Sequence, residues 1–233
     1  MEVQAHIEKK RDLFCYTDFM TKENMTTNNL LKCGVVAGPL YIAVGLFEIF
    51  TRPGFDVRKH SLSLMSIGPS GWIHITLFIV SGLLVILGAI GIRKAIKGEK
   101  AGTWAPILLA VYGLSLIAAG IFVPDPMRGF PQGMPSGTIS TSGIMHLVSG
   151  MIGFTGLIAA CLVFGKRFKH LKDTQQGMFS VITGFVFLAA FIGIAGFSGQ
   201  TNDSVIMFVT LFFYFAVVLS WTWLSAICSR LIK

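Results

Sequence analysis

The chain has 233 residues, of which 53% are hydrophobic and 13% are charged, and its formal net charge is +8. A soluble domain carries roughly a quarter charged residues, so this composition excludes an ordinary soluble protein and predicts an integral membrane protein. The positive charge could suggest nucleic-acid binding, but the basic residues stand between apolar segments, as in a membrane topology signal, so no nucleic-acid partner is expected.

Residues 1–30 are polar and are predicted to form a cytoplasmic tail, followed by a six-helix transmembrane domain over residues 31–233. A helix needs about 20 apolar residues to cross the hydrocarbon core. Six segments meet this requirement: 31–50, 72–92, 103–123, 143–164, 178–197 and 206–228. None shows the alternation of a barrel strand, so the predicted fold class is all-α, a polytopic bundle of six transmembrane helices.

The basic residues sort to one side of these spans. Fifteen of the nineteen lie before or at the very start of span one, between spans two and three, between spans four and five, or after span six. The other four are Arg52, Arg58, Lys59 and Arg128. Because positively charged loops stay in the cytoplasm, both termini are predicted to be cytoplasmic, in a multi-pass protein of the cell membrane.

Three ionisable residues lie near the predicted outer ends of spans, and each shares a helix face with small residues. Glu48 follows Gly45 by three positions, and His74 and His146 stand on glycine-containing faces of spans two and four. Since such faces pack against neighbouring helices, the three groups are expected to point into the bundle. For Glu48, a side chain that merely reaches the membrane interface is the alternative.

Asp125 stands between Pro124 and Pro126, which end the third span at about Val123. The carboxylate therefore lies at a helix C-terminus, where the helix dipole disfavours negative charge. It needs a compensating partner. The candidates are Arg128, Arg52, His146 and the backbone amides at the start of span four, which follows the good N-cap sequence "TISTSG".

The outer segments also contain residues suited to chemistry. Ser61 and Ser63 could act as nucleophiles, with His146 or another histidine as base and Asp125 as the orienting acid. Their structural alternative is a role as caps or turn residues. Glu48, His74, Asp125 and His146 are together a possible zinc ligand set, although no local HExxH or paired-cysteine motif supports it.

Four motifs carry a family resemblance: "CGVVAGPLY", "HSLSLMSIGPSGWI", "IFVPDP" and "GIMHLVSG". With them the chain, from residue 30 to about 228, resembles the prokaryotic membrane proteins grouped as domain of unknown function 998. The resemblance implies a six-helix membrane fold and importance for Ser61, Ser63, Asp125 and His146, but no activity. A looser similarity to membrane-embedded metal hydrolases of lipids fails at the last span, which contains no histidine.

Two function classes follow. The first is a non-catalytic membrane protein that binds lipid or a membrane-protein partner at its outer face. The second is an intramembrane hydrolase of lipid-like substrates that uses the serine, aspartate and histidine residues named above. A small-solute transporter is a distant third, because no ionisable residue stands in the middle of a span.

Overall fold

The computed structural model describes residues 2–134, 137, 139–196, 199 and 201–233, and the side chains from Glu23 onward. This part of the chain is helical and contains no β-strand. Its helices are α1 (Glu2–Thr51), α2 (Gly71–Ala95), α3 (Ala101–Ile121), α4 (Thr141–His170), α5 (Thr174–Gly196) and α6 (Asp203–Leu231). A 3₁₀ helix, Leu62–Ser66, stands between α1 and α2.

All six helices are long and apolar enough to cross a membrane, the first of them over Glu23–Thr51. Each predicted span falls on one of them, which confirms the all-α fold class and the six spans; position 197, predicted to end span five, lies outside the described residues. α1 begins at Glu2, so the segment predicted as a polar tail continues the first helix, which also runs on through Pro39.

The helices form a ring in chain order. Each packs against its neighbours in the sequence, and α6 returns to pack against α1. Large aromatic side chains from α6 fill the middle of the ring. Trp221 stacks on Tyr41 of α1 with a centroid distance of 4.6 Å, and Trp223 meets Phe164 of α4 edge to face at 5.8 Å. Trp221 also lies 5.8 Å from Tyr112 of α3, so aromatic packing joins α6 to the opposite helix of the ring.

Small residues stand where helices approach most closely, as predicted. A Cβ built on Gly82 of α2 would lie 2.5 Å from the carbonyl oxygen of Gly113 on α3. A Cβ on Gly88 would lie 2.8 Å from the Cα of Gly34 on α1. Gly45 differs, because its nearest neighbour is Leu62 of the 3₁₀ helix, at 3.9 Å from the built Cβ.

Candidate functional site

Glu48 of α1 and His74 of α2 form a buried pair. The carboxylate Oε2 lies 2.6 Å from His74 Nδ1, and both side chains are 0% exposed. Both helices place these residues on their inward faces, with Tyr41 and Gly45 on one side and Phe78 and Ser81 on the other. The expectation that Glu48 and His74 point into the bundle is confirmed, and the alternative of an interfacial Glu48 is wrong because the side chain is fully enclosed.

The pair keeps two polar atoms without partners. Glu48 Oε1 and His74 Nε2 are buried, and neither has a hydrogen-bond partner in the described part of the chain. Leaving a buried polar atom unpaired costs on the order of 1–3 kcal/mol, so such atoms are uncommon in a finished core. Four other buried side-chain atoms of the described residues are also without a partner, in Arg52, Ser81, Gln176 and Ser225, so this feature alone does not make the pair a site.

His146 of α4 bonds the end of α3. Its Nδ1–H is shared between the carbonyl oxygens of Phe122, at 2.8 Å, and Ala119, at 3.1 Å. The last carbonyls of a helix lack intrahelical donors, and the imidazole supplies one. The inward orientation predicted for His146 is confirmed. Phe78 lies between His146 and His74, with centroid distances of 6.2 and 4.6 Å to them.

Asp125 finds its partner at the start of α4. The backbone amide of Ser140 donates to Asp125 Oδ2 at 2.9 Å, which confirms the helix-start amides among the predicted partners. Ser140 also caps α4 by accepting from the amide of Gly143 at 3.0 Å. Hydrogen bonding from Ser140, through its side chain and its backbone, holds the pKa of Asp125 below its ordinary value. Although Asp125 follows the C-terminus of α3, where the helix dipole disfavours negative charge, its carboxylate lies at the N-terminus of α4, where the dipole favours it.

Ser61 and Ser63 lie at the start of the 3₁₀ helix. Their hydroxyl oxygens are 3.3 Å apart, and the carbonyl of Ser63 accepts from the Ser66 hydroxyl at 2.5 Å. Among the hydrogen bonds of the described residues, neither hydroxyl is joined to a histidine. The structure therefore brings the two serines together but does not pair them with a base.

His60 connects the segment between α1 and α2 with the segment between α3 and α4. The amide of Asp56 donates to its Nδ1 at 2.9 Å, and its Nε2–H donates to the carbonyl of Arg128 at 3.1 Å. The ring also packs against Phe55 and Phe130 with centroid distances of 5.4 and 5.3 Å. Burial lowers the pKa of His60. Because both nitrogens of this neutral imidazole are hydrogen-bonded, His60 links the two segments and is not available as a base.

The family comparison agrees with this architecture. The model of the family described as Protein of unknown function (DUF998) matches residues 35–230, nearly the whole transmembrane part of the chain. The chain belongs to the DUF998 family. No curated protein and no solved structure matches it.

The metal ligand set predicted for this DUF998 protein does not fit the geometry. Glu48 and His74 meet, but His146 is separated from them by Phe78, and Asp125 is bonded at the start of α4. In the ranges described, no three His, Cys, Asp or Glu side chains converge as metal ligands. A protein zinc site uses three or four such ligands, and the pair supplies two.

Sequence reasoning missed the pairing of Glu48 with His74 in this DUF998 protein, although it named both residues. The signal that could have found it is helical spacing, since Tyr41, Gly45 and Glu48 lie on one face of α1 and His74 begins the small-residue face of α2. Which residue of one face meets which residue of the other depends on the crossing of α1 and α2, and the sequence pattern does not specify that crossing.

Proposed function

We propose that this DUF998 protein is a non-catalytic membrane protein that binds lipid at its outer face, with both termini in the cytoplasm. The observation that carries the proposal is the construction of the outer segments. His60 bonds Arg128, the Tyr214 hydroxyl of α6 donates to the carbonyl of His60 at 2.8 Å, and the Arg52 guanidinium donates to the carbonyls of Met65 and Ile67. Long loops held this firmly form a defined surface rather than loose connections.

The rim of this surface is apolar. Trp72 at the start of α2 is 66% exposed and Ile139 before α4 is 78% exposed. Met127 of the second outer segment is also exposed. Exposed apolar side chains at helix ends are suited to the interfacial region of a bilayer, where an aromatic ring contacts acyl chains and headgroups together. This chemistry favours a lipid over a soluble protein partner.

The orientation is supported by the basic residues. Lys97 and Lys100, between α2 and α3, and Lys172, between α4 and α5, lie at one end of the bundle, opposite the segments of His60 and Asp125. An impermeant maleimide added to intact cells should label Gln132→Cys but label Lys97→Cys only after permeabilisation, since both positions are exposed. The reverse pattern would refute the cytoplasmic placement of the termini.

Lipid binding can be tested by measuring the phospholipid that remains bound to the protein after purification. After mild detergent extraction from vesicles, mass spectrometry should find retained phospholipid, and Trp72→Ser should reduce it about tenfold, because one large apolar side chain contributes roughly 1.5–3 kcal/mol when buried. Trp104→Ser is the matched control, since Trp104 is 60% exposed at the start of α3, at the other end of the bundle. Absence of retained lipid, or equal loss in both variants, would contradict the proposal.

A hydrolase is the second candidate, and one observation favours it. Glu48 holds His74 through Nδ1 and leaves Nε2 unpartnered, which is how an acid orients a catalytic base. The hydroxyls of Ser61 and Ser63, however, bond each other. Release of free fatty acid from the phospholipid in the same vesicles would support this candidate over simple binding.

A further inference from the structure

We propose that a cleft at the end of the bundle where α2 and α6 terminate binds the headgroup of an anionic phospholipid. This terminal cleft lies between residues 23–28 of α1, Lys94 and Ala95 of α2, and Leu231 and Lys233 at the end of α6, and its volume is about 180 Å³. Several of these residues are exposed, so the cleft opens to the surface. It stands at the opposite end of the bundle from the proposed outer lipid-binding face and does not depend on it.

One wall of the terminal cleft is held in place by α1. The side-chain amide of Asn28 donates to the carbonyl of Lys233 at 2.8 Å, and the backbone amide of Lys233 donates to Asn28 Oδ1 at 3.3 Å. These two hydrogen bonds fix the backbone of Lys233 on the surface of α1. The side chain of Lys233 therefore extends from a fixed point and lines the same cleft as Lys94.

The terminal cleft carries an excess of positive charge. Lys94 and Lys233 are its basic residues, and Glu23 is its acidic residue. Among the ion pairs of the described residues, none includes Lys94 or Lys233. Two other carboxylates at this end, of Glu99 and Asp173, are bonded to arginines and so do not neutralise the two lysines. Because ammonium groups bind phosphate oxygens through charge-assisted hydrogen bonds, the cleft is suited to an anion that contains phosphate.

The position of the terminal cleft favours a lipid over a free phosphate. Ala95 and Leu231 are the last residues of two membrane-crossing helices, α2 and α6. Both are half-buried and pack against the hydrophobic core of the bundle. Lys94 and Lys233 therefore stand beside apolar residues at the level where phospholipid headgroups lie, and the acyl chains of a bound lipid can run along α2 and α6.

The size and charge of the terminal cleft select among headgroups. Pockets for drug-sized ligands measure about 300–1,000 Å³. The volume of 180 Å³ therefore suits a headgroup and not a larger soluble molecule. A choline headgroup would bring its own cation toward the two lysines, whereas a phosphatidylglycerol headgroup has no cation. Phosphatidylglycerol is thus the matching probe, and phosphatidylcholine is the comparison.

The experiment uses the full chain in vesicles of equal parts phosphatidylglycerol and phosphatidylcholine, with mass spectrometry of the lipid retained after mild extraction. Each basic residue near a membrane surface strengthens the binding of anionic lipid several-fold. Retained phosphatidylglycerol should therefore exceed phosphatidylcholine about tenfold, and Lys94→Gln combined with Lys233→Gln should reduce the excess to about twofold. Lys166→Gln combined with Lys169→Gln is the matched control and should keep the excess, because it removes two exposed lysines from α4, across the ring from α1.

Asn28→Ala tests the placement of Lys233 without removing a charge. It deletes both hydrogen bonds to the backbone of Lys233 and should lower the excess of phosphatidylglycerol several-fold. Asn29→Ala is the matched control and should leave the excess unchanged, because Asn29 is exposed and does not line the cleft.

Three results would overturn the inference. The first is an absence of preference for phosphatidylglycerol in the unmodified chain. The second is an equal loss of preference in the two pairs of lysine variants, which would assign it to the general positive charge of this end. The third is displacement of phosphatidylglycerol by inorganic phosphate at constant ionic strength, which would assign the cleft to a free phosphate. The lipid retained through Trp72 tests the outer face separately, so each of these results leaves the proposed function intact.

Discussion

Replacing Gly82 with alanine should lower the free energy of unfolding by about 1–3 kcal/mol, the usual cost of forcing an extra carbon into a packed contact. The new Cβ would stand 2.5 Å from the carbonyl oxygen of Gly113 and 2.8 Å from Ile117 Cγ1, both on α3. The first of these neighbours is backbone and cannot rotate away. The helices must separate, and every contact between α2 and α3 weakens with them. Reversible unfolding in mixed micelles with increasing denaturing detergent measures the change.

The control for this prediction is Gly150→Ala. It introduces the same methyl group into a membrane helix, but the nearest atom belongs to the Phe154 ring at 3.7 Å, an ordinary van der Waals distance. Its unfolding free energy should match that of the wild type or exceed it slightly, because alanine favours helix over glycine by up to about 1 kcal/mol. Equal destabilisation by Gly82→Ala and Gly150→Ala would show that the α2–α3 contact is looser than its geometry indicates.

The helices could be predicted because the length of an apolar segment can be read directly from the sequence. A run of about 20 apolar residues must be helical in lipid whatever its neighbours are, so the six spans follow from the sequence. The inward faces were predictable for a similar reason, since Gly34, Gly38 and Gly82 mark close contacts by size alone. The same rule did not distinguish Gly45, which meets Leu62 of a loop instead of a helix.

The contacts between distant residues were not predictable in the same way. His146 was one of the candidate partners of Asp125, and the structure places both residues at the junction of α3 and α4. They act there separately, because Asp125 accepts from the Ser140 amide and His146 donates to carbonyls of α3. Backbone groups satisfy both side chains, and backbone groups carry no signature in a sequence. The sequence likewise identifies His60 as a histidine that could act as a base, but it does not predict the hydrogen bond from His60 to the carbonyl of Arg128.

The polar groups at this end of the bundle divide by their partners. Asp125, His146 and His60 bond backbone groups at helix ends and loops, which stabilises this end of the bundle. Glu48 and His74 bond each other, and among the described residues one buried atom of each has no partner. This difference moves the centre of interest from Asp125 and His146 to the pair between α1 and α2.

Replacing either Glu48 or His74 should lower the free energy of unfolding, and the two replacements should lower it by different amounts. His74→Leu should lower the unfolding free energy by about 3–5 kcal/mol, because it leaves a buried carboxylate without its hydrogen-bonded partner. Glu48→Leu should cost about 1–3 kcal/mol, since the imidazole that remains loses one hydrogen bond. The double variant should cost less than the sum, with a coupling of about 1–3 kcal/mol, because it removes both polar groups from the interior. Detergent-induced unfolding of the four proteins measures the cycle.

The ion pair between Arg230 and Asp173 provides the comparison that isolates burial. Its guanidinium and carboxylate are 2.6 Å apart, the same separation as in the buried pair, but Arg230 is half exposed at the opposite end of the bundle. Solvent screening should hold its coupling to about 0–1 kcal/mol in the same kind of cycle. Similar coupling in both cycles would mean that water reaches Glu48 and His74 in the membrane. A large coupling confined to the buried pair would show that these two side chains hold α1 and α2 together.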